Sequence, residues 1–262
     1  MENNRFSIFE AVRDAYAFAG REWSYLAKVG ALPVALQICL ALFVQFQRPE
    51  ASQIEGYLWS LPATALFSWF TFLEIRLLLL GERLDHLPAN RHYLTLRLRA
   101  MKLSVIISLL FNMGVTAALA TVAALLSSGY WGTNWFLTLA GLFILGALFW
   151  GIRFGIMPIV AAVHFPLRPV IQQTWGMMFS FRLLGMAMIC IFPVAILFQI
   201  FLSLFIQLPD DPTAELKLTV MEQAGVIAVS APLSLIVTAL VNAAAAYALK
   251  QLLGGHRSEA RA

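Results

Sequence analysis

The sequence is poor in charge and in the residue types from which most soluble active sites are built. Only 12% of its 262 residues are charged, whereas soluble domains carry about 25%. It contains 2 Cys and 4 His, while hydrophobic residues make up 60% and the mean hydropathy is +0.78. A water-soluble core of this size cannot bury so much apolar surface. We therefore exclude a soluble globular protein and expect most of the chain to lie in lipid.

Short motifs that mark common catalytic sites are also missing: the sequence has no HExxH, no GxSxG and no P-loop. Cys39 and Cys190 lie inside apolar runs, where cysteine behaves as a small hydrophobic residue. No short basic segment precedes the first run, so we expect no cleavable signal peptide. We predict a protein that is not an enzyme and binds no metal or cofactor. None of the histidines lies deep in an apolar run: His86, His92, His164 and His256.

Long apolar runs are what the sequence has in abundance. A membrane-spanning helix needs about 20 apolar residues, and six runs reach or approach that length. They predict an all-α polytopic membrane protein with six transmembrane helices. The runs cover approximately residues 28–46, 57–80, 101–126, 135–162, 183–206 and 225–249.

Amphipathic segments before three of these runs predict helices on the cytoplasmic surface. From Ser7, which forms a capping-box pattern with Glu10, apolar residues recur at helical spacing as far as Trp23. Similar segments start near Pro88 and at Pro169, because proline is favoured at the start of a helix. The first of these helices either lies in the membrane interface, as its aromatic residues favour, or packs on the protein's own loops.

Basic residues fall almost entirely on one side of the predicted topology. Of the 18 Lys and Arg, only Arg48 and Lys217 lie in loops on the opposite side, and Arg76 and Arg153 lie within spans. The positive-inside rule then places both termini in the cytoplasm. The same distribution predicts contact with anionic lipid headgroups of the inner leaflet rather than with nucleic acid.

The chain is predicted to be a single membrane domain built from three similar units. Each unit runs amphipathic helix, span, short outer loop and span, over approximately residues 7–81, 88–162 and 167–250. Each begins and ends in the cytoplasm, so the units are expected to be parallel copies. A short cytoplasmic tail follows at 251–262. The alternative is a chance rhythm of hydrophobic hairpins.

Near the end of the fourth run, an arginine and a proline are followed by a helix that closes on a Ser-x-x-Leu-like stretch. The residues of this pattern are Arg153, Pro158, Ala161, Ala162, Trp175, Ser180, Arg182 and Leu184. The pattern resembles a loose group of prokaryotic six-span proteins. This group includes the YciC-like inner-membrane proteins and the membrane domain attached to some glycerophosphodiester phosphodiesterases. The resemblance implies a polytopic protein of the bacterial inner membrane, and it carries over no catalytic residue.

Polar residues inside the spans are the functional candidates. Ionisable groups are costly in a membrane and are functional candidates by default; here they are Glu74, Arg76 and Arg153. Glu74 and Arg76 point to different faces of one helix, so we expect Glu74 to pair with Arg153 on another span. Alternatively, the arginines extend to inner-leaflet phosphates, or the three residues bind a lipid or substrate headgroup. Asn112 and Asn242 complete the set, because asparagine often hydrogen-bonds between membrane helices.

Two functions from different classes are consistent with the sequence. The first is a non-enzymatic inner-membrane protein that serves envelope maintenance or binds lipids, a membrane-protein partner or a second copy of itself. The alternative is a small secondary transporter or channel for a hydrophobic or anionic solute. A water-filled cavity lined by Glu74, Arg76 or Arg153 would favour transport, and a solid interior of alanine and phenylalanine would favour the accessory role.

Overall fold

A computed structural model describes residues 6–47, 53–86, 90–127, 135–164, 167–174, 176–205 and 219–259. Within these ranges the secondary structure is helical throughout and contains no β-strand, which confirms the predicted all-α class. Short 3-10 turns occupy Leu84–His86 and Ile152–Ile156. The α-helices are α1 (Ile8–Gln47), α2 (Gln53–Leu80), α3 (Arg91–Ser127), α4 (Trp135–Gly151), α5 (Met157–Val163), α6 (Leu167–Thr174), α7 (Met177–Phe205) and α8 (Val220–Glu259).

Six helical segments of the described chain are long and apolar enough to cross a membrane, in agreement with the predicted spans. They lie in α1, α2 and α3, across α4 and α5, and in α7 and α8. The predicted outer turn at 127–134 and the acidic outer loop at 207–223 lie largely outside the described residues.

Two of the predicted surface helices are not separate from the spans that they precede. The segment from Ser7 to Trp23 and the first span form the single helix α1, and the basic residues from Arg91 onwards form the first turns of α3. No proline or turn separates the amphipathic stretch from the apolar one in either case, so the helix continues. The third segment does form a distinct helix, α6, but it ends at Thr174 instead of continuing to Arg182.

The first part of α1 packs through a face of small residues that also includes Phe18. Ala11, Ala15 and Phe18 are buried, whereas Phe9 is 76% exposed and Trp23 is 49% exposed. Small residues allow membrane helices to approach closely, which explains why the alanine face turns towards the bundle. The two ends of the face that the sequence pattern predicts, Phe9 and Trp23, therefore point away from the protein, while Tyr16 in its middle donates to the Cys190 carbonyl at 3.3 Å.

The first described residues and the last part of α8 meet at one end of the bundle. The backbone N–H of Ser7 donates to Gln251 Oε1 at 3.0 Å, and Arg182 Nη1 at the start of α7 donates to the carbonyl of Phe6 at 3.0 Å. The end of α2, the start of α3 and the end of α5 lie there too, and we call this the basic end. The predicted tail at 251–262 begins as a helix, because α8 continues to Glu259.

Helix α2 is the most enclosed of the spans. In the apolar stretch of α2 that would cross the membrane, 56% of the residues are buried, against 22% or less in the corresponding stretches of the other spans. The largest buried side chains cluster towards the basic end and include Phe70, Ile75, Ile159 and Leu249. Helix α2 ends where Gly81 adopts a positive φ of 69°, a conformation that favours glycine, and the chain turns back towards α3.

Candidate functional site

Three spans carry polar residues at intervals of three or four, which places each set on one helical face. The bundle turns these three faces towards one another around a common cavity. The residues are Thr64, Ser68 and Thr71 on α2, Ser108, Asn112 and Thr116 on α3, and Ser234, Thr238 and Asn242 on α8.

The cavity has a volume of about 880 Å³. Gln37 of α1 adds a further amide, and apolar side chains such as Phe111, Phe149 and Leu183 form most of the remaining wall. Among the described residues that line it there is no Asp, Glu, Lys or Arg. The interior therefore matches neither sequence-based expectation, since it is neither solid nor lined by the ionisable residues of the spans.

Polar groups of the cavity wall also hold the helices together. Serine and threonine hydroxyls donate one hydrogen and retain lone pairs that accept, so groups in these bonds can still receive a hydrogen bond from a bound molecule. Thr238 Oγ1, for example, donates to the Ser234 carbonyl one turn earlier at 2.7 Å. The bonds between helices are Ser68 Oγ to Ser108 Oγ (3.0 Å), Asn242 Nδ2 to Thr71 Oγ1 (3.0 Å) and Ser234 Oγ to Gln37 Oε1 (3.2 Å).

The fourth span is interrupted where it lines the cavity. The 3-10 turn Ile152–Ile156 separates α4 from α5, and Pro158 follows without a backbone N–H. The backbone stays helical through this stretch, which we call the break, and 3-10 geometry inside a longer helix often marks a hinge or local strain. Side chains bind carbonyls on both sides of the break. Arg153 Nε donates to the Trp150 carbonyl at 2.7 Å, and Ser104 Oγ donates to that of Pro158 at 3.0 Å.

Glu74 is 1% exposed and lies about one helical turn beyond Thr71, behind the cavity wall. Neither of its carboxyl oxygens has a hydrogen-bond partner among the described residues. The predicted bridge between Glu74 and Arg153 is therefore not formed. Arg153 turns back onto its own segment instead, with its guanidinium carbon 4.3 Å from the centre of the Trp150 ring.

Arg76 takes part in an ion-pair network at the basic end. Its guanidinium group binds both carboxyl oxygens of Glu82 at 2.6 Å and donates a third bond, also 2.6 Å long, to the carbonyl of Ala162 in α5. Arg97 of α3 approaches Glu82 at 3.6 Å. Both Arg76 and Arg97 cover the ring of Phe72. This network joins α2, α3 and α5, so Arg76 is placed to hold the bundle together.

Glu82 keeps its charge in this network. Partial burial raises the pKa of Glu82, but the Arg76 guanidinium and the Tyr93 hydroxyl, together with the charge of Arg97, lower it by more. The resulting pKa lies below the ordinary value for glutamate. A second pair, Arg83 with Glu22 of α1 at 2.6 Å, lies at the same end but is more exposed.

The five residues predicted from the sequence are thus divided among four places. Asn112 and Asn242 line the cavity, where Asn242 bonds to another helix and Asn112 contacts Ser108 of its own helix at 3.5 Å. Glu74 lies behind Asn242. Arg76 and Arg153 are both buried and engaged, Arg76 at the basic end and Arg153 at the break in the fourth span. The hydroxyl groups of the cavity were missed, although their spacing of four residues is visible in the sequence.

Comparison with known proteins adds no relative. No protein-family model matches the chain, and no curated protein or solved structure is similar to it. The similarity to YciC-like proteins therefore stays a prediction. The described residues contain no group of three or more His, Cys, Asp or Glu that could hold a metal ion. The cavity and its surroundings are therefore the features that bear on function.

Proposed function

We propose that this protein binds an uncharged amphiphilic molecule in the cavity between α2, α3 and α8, and that it is not an enzyme. The observation that carries the proposal is the composition of the cavity wall. It combines apolar side chains with hydroxyl and amide groups from four helices, and the described lining residues include no ionisable group.

This wall discriminates between classes of ligand. An ion would lose its hydration and find no counter-charge there, which is very unfavourable in a low-dielectric interior. A purely apolar molecule would leave the hydroxyl and amide groups without new partners. A molecule with a hydrocarbon tail and hydroxyl, ester or amide groups satisfies both parts of the wall. A neutral lipid is the simplest molecule of this kind that a membrane supplies.

We further propose that the basic end faces the cytoplasm and that the protein resides in a bacterial inner membrane. The positive-inside distribution of Lys and Arg supports this orientation. Arg13 and Arg21 at the start of α1 have side chains that are 75% and 70% exposed, which suits them to contact anionic headgroups. A role in envelope maintenance follows if the bound molecule is a lipid.

Replacement of Thr238 by valine tests the binding proposal, because it removes a hydroxyl from the cavity wall and keeps the shape of the side chain. Thr121 gives a matched control. Its hydroxyl donates to the Ala117 carbonyl at 2.8 Å, but Thr121 does not line the cavity. One neutral hydrogen bond contributes about 0.5–1.5 kcal/mol. We therefore expect T238V to bind monooleoylglycerol about two- to tenfold more weakly, and T121V to bind it as the wild type does.

Native mass spectrometry provides the measurement in two steps. The purified protein is first examined for molecules retained from the membrane, and the dissociation constant for added monooleoylglycerol is then determined for the wild type and both variants. A retained neutral lipid and selective weakening in T238V support the proposal. Equal affinities for T238V and T121V, or no binding of any neutral amphiphile, would contradict it.

A second function, transport of such a molecule across the membrane, is favoured by the break in the fourth span. A 3-10 stretch inside a helix often marks a hinge, and a hinge beside a binding site would allow one part of the bundle to move against another. Proteoliposomes that carry a fluorescent monoacylglycerol separate the two functions. Protein-dependent exchange of the label between leaflets indicates transport, and binding without exchange indicates an accessory role.

A further inference from the structure

A second, smaller space lies beside the cavity, between α3 and the fourth span. It has a volume of about 260 Å³, and the described residues that line it are all apolar. Leu110 of α3 and Phe154 of the break border this space and are 64% and 41% exposed. Both residues lie within membrane-spanning segments. This space, which we call the side groove, therefore faces the hydrocarbon of the bilayer.

A partition one side chain thick separates the side groove from the cavity. Phe111, Val115 and Leu148 line both spaces. One surface of each side chain therefore borders the cavity, while another surface borders the side groove. The lipid-facing groove and the polar cavity are thus neighbours with no layer of helix backbone between them at this point.

The ring of Phe111 extends from α3 to the break in the fourth span. A Cβ atom added at Gly155 would lie 3.2–3.9 Å from three atoms of this ring, so the ring edge rests close to the backbone of the glycine. A phenylalanine ring makes no conventional hydrogen bond, so a change of its rotamer costs packing contacts alone. When the ring turns away from Gly155, the side groove and the cavity become continuous.

The two spaces suit the two parts of an amphiphile. The cavity offers hydroxyl and amide groups, among them Ser108 and Asn112 on the same helix as Phe111. The side groove offers an apolar surface. A neutral lipid with its polar group in the cavity can therefore extend its hydrocarbon chain past Phe111 into the side groove, where the chain stays in an apolar environment.

We propose that the side groove is a lateral entrance to the cavity for a lipid hydrocarbon chain and that Phe111 is its gate. The identity of the ligand rests on the proposed function, whereas the entrance rests on the shared partition. A lipid that enters in this way moves directly from the bilayer into the cavity. Its chain does not have to cross water, which would be unfavourable for so large an apolar surface.

Three phenylalanines give a matched set of variants. Phe111 borders both spaces, Phe149 borders the cavity but not the side groove, and Phe143 of α4 borders neither and is 77% exposed. Replacement by alanine removes one ring in each case, but only Phe111→Ala opens the partition. Phe111→Leu is a milder variant, because leucine is apolar but shorter than the ring that reaches Gly155. It carries the test if F111A does not fold.

Exchange kinetics in detergent distinguish a gate from a simple contact with the ligand. Displacement of a fluorescent monoacylglycerol by monooleoylglycerol gives the dissociation rate constant, and this constant divided by the dissociation constant gives the association rate constant. Opening the gate lowers the barrier in both directions. We expect both rate constants to rise about tenfold in F111A, which corresponds to about 1.4 kcal/mol of barrier. F149A should raise the dissociation rate alone, because it removes a contact, and F143A should change neither rate.

Photo-crosslinking tests the entrance without relying on the proposed ligand. Each variant is reconstituted with a phosphatidylcholine that carries a diazirine near the end of one acyl chain, and the labelled residues are mapped by mass spectrometry. Leu110 should be labelled in every variant because it faces the bilayer. Val241 of α8 lines the cavity but not the side groove. Its labelling should increase several-fold in F111A and F111L, and it should not increase in F149A or F143A.

The outcomes separate this proposal from the proposed function. Association rates and Val241 labelling that are the same in the Phe111 variants as in F149A overturn the gate. Faster association in F111A together with increased labelling of Val241 supports both the gate and the proposed function. Increased labelling of Val241 in a protein that binds no neutral amphiphile supports the lateral entrance and refutes the proposed function.

Discussion

The buried ion pair between Arg76 and Glu82 gives the sharpest prediction for stability. Replacing Glu82 by glutamine removes the negative charge and leaves the Arg76 guanidinium, whose side chain is 7% exposed, without its counter-charge. We expect a large loss of stability. The same replacement at Glu22, which pairs with Arg83 at an identical distance of 2.6 Å, should have little effect because the Arg83 side chain is 46% exposed.

The magnitude follows from burial and from the bonds that remain. Removing one partner of a fully buried ion pair costs about 3–5 kcal/mol. Glu82 is 17% exposed, and Arg76 keeps its bond to the Ala162 carbonyl. These two features reduce the expected cost of E82Q to about 2–3 kcal/mol. Glu22 is itself 13% exposed, but its partners Arg83 and Arg21 are 46% and 70% exposed and stay solvated after the replacement. Pairs with such exposed partners contribute about 0–1 kcal/mol, which sets the range for Glu22→Gln.

Thermal unfolding of the purified protein in detergent is the assay. For a chain of this size, 1 kcal/mol corresponds to roughly 2–4 °C in melting temperature. The melting temperature of E82Q should therefore lie about 4–12 °C below that of the wild type, and that of Glu22→Gln within about 4 °C of it. If both variants melt together, the burial argument is wrong and the network at the basic end contributes no more than a surface pair does.

The remaining predictions concern pH and helix packing. The pKa of Glu82 is lowered in the folded protein. Its contribution to stability is therefore complete above the unfolded pKa of about 4.3 and is lost as the pH falls through the folded pKa. The difference in melting temperature between the wild type and E82Q should accordingly be smaller in acid than at pH 7. A Cβ added at Gly30 of α1 would overlap the buried Leu235 of α8, whereas Gly20 on the same helix has open space. Both replacements gain the same helix propensity, so Gly20→Ala should be neutral or stabilising, and Gly30→Ala should be less stable than Gly20→Ala by about 1–3 kcal/mol because of overpacking. Equal melting temperatures for the two glycine variants would contradict the close approach of α1 and α8.

The six spans could be predicted because they depend on composition within single segments. Hydropathy over about 20 residues decides whether a helix is stable in lipid, whatever it packs against. The end of α2 was also visible, since Gly81 follows the apolar run. The continuity of α1 from Ile8 to Gln47 was not, because an amphipathic pattern joined to an apolar one does not show whether the helix breaks between them.

The partners of the ionisable residues depend on packing between segments, which local patterns do not contain. The sequence predicts a pair between Glu74 and Arg153 because they are opposite charges within different spans. The ion pair that forms is between Arg76 and Glu82, which lies just beyond the end of the same helix, because the turn at Gly81 brings the chain back. Residues just outside the spans, such as Glu82, lie at the same end of the bundle as the last turn of α2. They are therefore within reach of a charge in that turn, such as Arg76.

The serine and threonine residues that line the cavity pose a different problem. Their regular spacing is visible in the sequence, but it has more than one interpretation. Ser104, Ser108, Asn112 and Thr116 follow one another at intervals of four on α3, but serine and threonine in membrane helices often bond to their own backbone. Thr238 does so in this bundle. The convergence of three such stripes on one cavity is what gives them meaning, and it becomes visible only when α2, α3 and α8 are packed together.

The separation between charge and cavity is the basis for the functional argument. Arg76, Glu82 and Arg97 form their network at the basic end, and Arg153 is engaged at the break in the fourth span, so these charges bind protein groups outside the cavity wall. A bundle arranged in this way can present uncharged hydrogen-bonding groups at membrane depth and exclude ions. Glu74 lies outside the cavity wall as well, so the described residues that line the cavity carry no charge.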